Sequence, residues 1–265
     1  MSDTSIDWTF GRRAFGRDPA GYDAARPAYP DWVFEVLRAR GLAPGAAVFE
    51  IGAGTGIATR RLLALGARPL VAIEPDDRLA TFLRTTVPDD ALSVVVAPFE
   101  DAVLPPAGFD VGFSATAFHW LPEDLALAKV AALLRPGGTW AMVWNVFADA
   151  NRPDPFHDAT QSLFAAAPRP SRRTDADHVA LDAGARIAAI ERTGAFDEVE
   201  HRARAWSLVL DPDQTVALYA SYSTIDARPD REAVLAELRR VARDQFGGRV
   251  IRNMITSLYV ARRRT

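Results

Sequence analysis

Three glycines at alternating positions, Gly52, Gly54 and Gly56, lie in the run VFEIGAGTGIAT at residues 48–59, between a β-branched segment and an amphipathic one. Glycine lets the backbone adopt positive φ and lets a ligand approach the main chain. A helix starting just beyond would offer unpaired N–H groups and the positive end of its dipole. Glu50 precedes the loop, and Glu74 follows Gly56 by 18 residues in the segment AIEPD. An acidic side chain at the end of the next strand can accept hydrogen bonds from both hydroxyls of a ribose. Taken singly, the glycines read as a plain turn and Glu74 as a solvated strand end. Together they point to a nucleoside-bearing ligand. The spacing is GxGxG, not the GxGxxG of the dinucleotide fingerprint.

A second group follows the apolar run FDVGFSATA: Phe118, His119, Trp120 and Leu121. In an open α/β sheet ligands lie outside the carboxyl ends of the strands, so this tetrad is expected at the reacting end of the site. His119 is a candidate general base, or a histidine that packs and donates a hydrogen bond without titrating. Trp120 is a candidate indole donor or a filler of the helix-to-sheet interface. His157, His178 and His201 have no metal-ligand spacing, and without cysteine no metal is expected. Ser114 has no GxSxG elbow to make it a nucleophile and reads as a strand-end residue.

Positioning these groups takes alternating strands and helices. AAVFEIG, PLVAIEP, LSVVVAPF, FDVGFSATA and GTWAMVWN read as strands, and IATRRLLALG, DDRLATFLRTTV and PEDLALAKVAALLRP as helices. That alternation predicts an α/β fold, a Rossmann-like doubly wound and mostly parallel sheet. The strands around Val48, Val71, Val94 and Val111 are expected to be buried on both faces. Residues 148–175 are proline-punctuated, with a short helix near 158–166, and read as a lid. Further helices are expected at 183–193, 213–221 and 231–245, with a long half-exposed strand at 198–210 and a closing strand at 249–263. The predicted organisation is one domain over 1–265. An N-terminal helical flap (1–45) precedes a ligand-binding half (46–145) and an acceptor half (146–265) with cap segments 148–175 and 211–246.

The chain has 265 residues, 49% hydrophobic and 25% charged, with a net charge of −3. It is neither basic enough to favour nucleic acid nor apolar enough over any 18-residue stretch to span a membrane. All but Lys129 of its 31 basic residues are arginine, a bias that reflects base composition more readily than phosphate recognition, because acidic residues outnumber them. No cysteine is present, which removes disulfides and thiol nucleophiles. A cytoplasmic enzyme acting on a small molecule is the expectation; oligomeric state is not readable.

From Tyr22 to Asn145 the chain resembles class I S-adenosylmethionine methyltransferases of the type 11 small-molecule group. The resemblance rests, in order, on YDAARPAYP, EIGAGTG, IEPD, APFED, FSATAFHW, LLRPGG and the Trp144-Asn145 pair, and extends to ASYSTI and SLYVARR near the end. It implies about seven strands, with an antiparallel strand at the C-terminal end, and a helical cap. It also implies S-adenosylmethionine as cofactor, held by Glu50, Gly52, Ala53, Gly54 and Gly56 around its methionine portion and by Glu74 and Pro75 at the ribose. Phe99 and Glu100 would flank the adenine, and Ser114 and Ala115 would lie beside the cofactor. Ala97-Pro98 stands where many relatives have Gly-Asp, so the usual adenine carboxylate is missing. Arg26 is a candidate for the cofactor carboxylate or an anionic substrate. His119 and Trp120 would meet the acceptor, with an oxygen expected and a carboxylate favoured, as in the trans-aconitate type. The competing readings are a nicotinamide-dependent oxidoreductase on the same sheet and a cofactor-binding protein without catalysis.

Overall fold

The computed structural model describes residues 14–147, 149, 151–164 and 176–265, and the side chains from Gly16 onward except those of 176–178. The first residues of the expected flap, part of the expected lid and the His178 side chain lie outside the described residues. Seven strands, β1 (Val48–Ile51), β2 (Leu70–Ile73), β3 (Leu92–Val95), β4 (Phe109–Ala115), β5 (Leu134–Val146), β6 (Phe196–Leu210) and β7 (Val250–Arg263), form one sheet in the order β3-β2-β1-β4-β5-β7-β6. β3, β2, β1, β4 and β5 run parallel, and β7 is antiparallel to both of its neighbours. The strand order reverses between β1 and β4, the switch point where open sheets leave a crevice at their carboxyl ends.

The helices are α1 (Pro19–Ala25), α2 (Asp31–Ala39), α3 (Ile57–Ala64), α4 (Asp77–Thr86), α5 (Glu123–Leu133), α6 (Pro155–Thr160), α7 (Ala176–Leu181), α8 (Ala183–Arg192), α9 (Pro212–Ala220), α10 (Ser223–Asp226) and α11 (Arg231–Asp244). Three of them start at an Asp-Pro pair. Asp18, Asp154 and Asp211 each accept a hydrogen bond from a backbone N–H in the first turn, and a proline follows where no N–H is needed. Leu37 of α2, Leu62 of α3 and Leu83 of α4 pack on one face of the sheet. Leu127 of α5 and Ile190 of α8 cover the other face, over Trp140 and Tyr259.

A third cluster is separate from both. Phe156, Leu218, Ile225, Leu238 and Val250 bring α6, α9, α10 and α11 together as a cap. Its charged centre is Arg252, 4% exposed, which donates to Asp154 at 2.8 Å and to the Tyr219 hydroxyl, with its guanidinium over the Phe147 ring. Phe156 and Tyr219 are therefore core residues, while Phe164 and Tyr222 are partly buried around them.

Two expectations need correction. β3 is not buried on both faces: Val94 is half-exposed because the strand pairs only with β2 and forms the sheet edge. β5 begins at Leu134, earlier than GTWAMVWN, because Leu134 already pairs with Phe109 before a register shift.

Candidate active site

The glycine loop leaves β1 with all three glycines at positive φ, 69°, 58° and 92° for Gly52, Gly54 and Gly56. Their reasons differ. A Cβ on Gly52 would lie 2.3 Å from the Ala117 Cβ, and one on Gly56 would lie 2.4 Å from Leu83 Cδ1, so both are fixed by close packing. A Cβ on Gly54 would meet nothing within 4 Å. Gly54 thus opens onto free space, the property required where a ligand approaches the backbone.

Glu74 holds that loop in place. One carboxylate oxygen accepts from Gly54 N–H at 2.8 Å and the other from Asp76 N–H at 2.9 Å, while Gly52 and Ala53 donate to the Ile73 carbonyl. Glu50 is 1% exposed and accepts from the Thr59 hydroxyl at 2.6 Å. Burial pushes its pKa up from 4.5 to about 8, against the lowering effect of Thr59. Burial likewise raises Glu74 to about 7, only partly offset by the two backbone donors. Two nearly buried carboxylates beside an open glycine would be relieved by a cationic ligand. Pro75 is half-buried beside them. Asp76 caps α4 and pairs with Arg78 at 2.6 Å, and the turn at Ala14–Arg17 lies against that pair.

A strap from Arg26 to Pro30 crosses the same end of the sheet. Tyr29 Oη is hydrogen-bonded to Thr116 Oγ1 at 2.8 Å, and Asn145 donates to the Ala28 carbonyl. Thr116 itself has a φ of 53°, a strained non-glycine position directly after β4. The Arg26 guanidinium lies between the Tyr22 and Tyr222 rings and donates to the Ser221 carbonyl at 3.0 Å, with its Nε buried and unbonded. Arg26 therefore joins the strap to the cap.

Phe118–Trp120 form a single 3-10 turn. Phe118 anchors it in the core against Trp140, which leaves His119 and Trp120 half-buried with ring centroids 4.9 Å apart. The Trp144 indole N–H donates to His119 Nδ1 at 3.1 Å, and burial holds His119 near a pKa of about 4. His119 is neutral across the ordinary pH range.

Other expected positions are less direct. The Ser114 hydroxyl donates to the Ile51 carbonyl inside the sheet, and Ala115 packs on the α2 side of the core, so neither presents a polar side-chain group to a ligand. The Phe99 ring is 2% exposed and stacked toward Phe49, so it cannot flank an adenine with its face. Lys129 Nζ ties down the carbonyls of Phe99, Glu100 and Ala102, and the Glu100 side chain is exposed. Thr59 and Thr116 were not among the expected site residues. A threonine two residues into a helix and one between strand and turn carry no signal until the chain is folded.

Among the described residues no cluster of three or more histidine and acidic side chains is arranged to hold a metal. No described helix is long and apolar enough to cross a membrane.

Residues 49–142 match a family model described as a methyltransferase domain. An uncharacterised methyltransferase of Mycobacterium tuberculosis is 35% identical over 136 residues, 50% of this chain and 52% of the relative. The trans-aconitate 2-methyltransferase of Rhizobium meliloti is 34% identical over 105 residues, 37% of this chain and 38% of that protein. The chain thus spans about half the length of the first curated relatives it matches. The solved structure of Haemonchus contortus phosphoethanolamine N-methyltransferase 2, in complex with phosphomonomethylethanolamine and S-adenosylhomocysteine, superposes with a TM-score of 0.57 at 12% identity. It covers 94% of this chain and 58% of its own. Sheet order, glycine loop and domain match agree: residues 49–142 match a methyltransferase domain, and the chain shares its fold with a solved methyltransferase structure.

Proposed function

We propose that the protein is an S-adenosylmethionine-dependent methyltransferase with a small-molecule acceptor, and that the acceptor atom is an oxygen, a carboxylate before a phenol or an amine. The observation that carries the first part is Gly54, open to space where a Cβ would project and pinned by Glu74, the residue proposed to take a ribose. Glu50, Gly52, Ala53 and Gly54 would hold the amino-acid end, and Glu74 the ribose. When bound, S-adenosylmethionine supplies a methyl group on a cationic sulfur, which departs with the electron pair of the broken carbon–sulfur bond. The chain's own part is to align the acceptor and exclude water. The strap and cap, joined through Arg26 and Ser221, are built over that end of the sheet.

The acceptor reading rests on His119. A base whose conjugate acid has a pKa of about 4 takes little proton from a phenol or an ammonium group. A carboxylic acid, with a reference pKa of about 4, arrives ionised and has no proton to lose. The partial likeness to trans-aconitate 2-methyltransferase points the same way.

Titration calorimetry with S-adenosylhomocysteine and with NAD tests the cofactor. Binding of the former alone is expected, weakened by Glu74→Gln, and binding of NAD alone would return the oxidoreductase reading. A panel of small acids, phenols and amines with labelled cofactor tests the acceptor. Label confined to amines or phenols would reject the carboxylate.

A further inference from the structure

The acceptor side of the site has one hydrogen bond whose direction is fixed by chemistry. An indole nitrogen can only donate, so the 3.1 Å contact from Trp144 Nε1 requires a lone pair on His119 Nδ1. A neutral imidazole has one N–H and one lone pair. With the lone pair committed at Nδ1, the proton sits on Nε2.

Neither partner is free to rearrange. Trp144 is 1% exposed, on the buried stretch of β5, and its ring meets Tyr259 edge-on at 6.0 Å. Tyr259 is in turn held by its hydroxyl on the Ala180 carbonyl. His119 is carried by the Phe118–Trp120 turn, with Trp120 against its ring, and no described residue is hydrogen-bonded to its Nε2.

We infer that Trp144 is a positioning residue that fixes the tautomer of His119, so that the ring presents an N–H at Nε2 to the methyl acceptor and has no lone pair with which to act as a base. The acceptor class this selects is an oxygen anion, above all a carboxylate: one oxygen accepts from Nε2–H while the other is left to attack. A phenol or ammonium group would meet a donor where it needs a proton acceptor. This inference rests on the proposed acceptor end of the site, although its central claim concerns only the two side chains.

Nitrogen NMR on the wild-type chain labelled with [15N]histidine and [15N]tryptophan tests it without an acceptor. His119 is identified by the resonance lost in His119→Gln. The expected spectrum at neutral pH has Nδ1 as a pyridine-type nitrogen, Nε2 as a pyrrole-type nitrogen, and a through-hydrogen-bond coupling between Trp144 Nε1 and His119 Nδ1. In Trp144→Phe, shown to be folded by its binding of S-adenosylhomocysteine, the His119 nitrogen shifts are expected to move toward the averaged values of a ring exchanging between both tautomers. A protonated Nδ1 in the wild type, or a Trp144→Phe spectrum with the wild-type tautomer unchanged, would overturn the inference. If Trp144→Phe does not fold, the wild-type coupling decides, and its absence in the folded protein counts against the proposal. S-adenosylhomocysteine binding beside a mixed His119 tautomer would leave the methyltransferase reading standing and remove only this one. The expected tautomer without S-adenosylhomocysteine binding would do the reverse.

Discussion

Replacing Glu50 by glutamine should stabilise the ligand-free protein at neutral pH while damaging its site. Glu50 is 1% exposed, and burial raises its pKa from 4.5 to about 8. The unfolded carboxyl loses its proton near the lower value and the folded one near the higher. Between the two the native state holds a proton that the unfolded state has released, so stability from this group is full below pH 4.5 and declines as pH rises toward 8. At about 1.4 kcal/mol per unit, the decline from the unfolded pKa to neutrality is about 3 kcal/mol. Glutamine does not ionise, and its carbonyl still accepts from Thr59. Urea unfolding without added nucleoside, at about pH 5 and about pH 7, should show two proteins of similar stability at the lower pH and a variant ahead by about 3 kcal/mol at the higher. Glu74 and His119 titrate in both proteins, so their effects largely cancel in the difference. Parallel pH dependences would mean that Glu50 is ionised in the fold and would refute the burial argument. The same reasoning predicts that a cationic ligand releases protons on binding to the wild type, visible as a buffer-dependent heat, and releases fewer from Glu50→Gln.

Gly54→Val should abolish S-adenosylhomocysteine binding, because its side chain enters open space, and should lower the melting temperature, because a branched residue is strained at a φ of 58°; Gly52→Ala should lower it as well, because its methyl meets Ala117. Full nucleoside binding by folded Gly54→Val would move the site elsewhere. Arg252→Met should cost about 3 kcal/mol by leaving the Asp154 carboxylate without its buried partner. A denaturant midpoint unchanged from wild type would show that the cap does not depend on that pair.

The elements that carry strong periodicity were legible in the sequence. The glycine loop, the crossovers to β2 and β3, and helices α8, α9 and α11 lie within a few residues of where the pattern put them. What escaped depends on neighbours that no local pattern encodes. Val94 sits in as apolar a run as Val48, yet only the strand order makes one an edge and the other central. Phe99 follows a strand end, as an adenine-flanking residue would, but its ring turns inward because Phe49 and Lys129 receive it. Ser114 has a hydroxyl at the expected strand end, and the register that pairs it with Ile51 consumes it. Trp144 was visible only as part of a motif; its role depends on β5 lying beside β4 so that its indole reaches the turn after β4.

Glu74 shows why the loop and its carboxylate must be read as one device. A carboxylate has about four lone-pair positions on its two oxygens. Gly54 and Asp76 each take one, from opposite oxygens, and a position remains on each oxygen for a ribose hydroxyl. The same group therefore sets the path of the glycine loop and, under the proposed function, would also hold the ligand. Glutamine is nearly isosteric but cannot do both. Whichever way its amide turns, an NH2 meets a backbone N–H, either at the loop or at the head of α4. The loss is one charge-assisted hydrogen bond and one stranded donor, about 1–3 kcal/mol each, and it falls on the loop before any ligand arrives. An acidic residue at this position is thus demanded by the unliganded fold as well as by a nucleoside. For that reason the carboxylate alone is a weak functional signal, and it becomes a strong one only beside a glycine whose missing side chain leaves space unfilled.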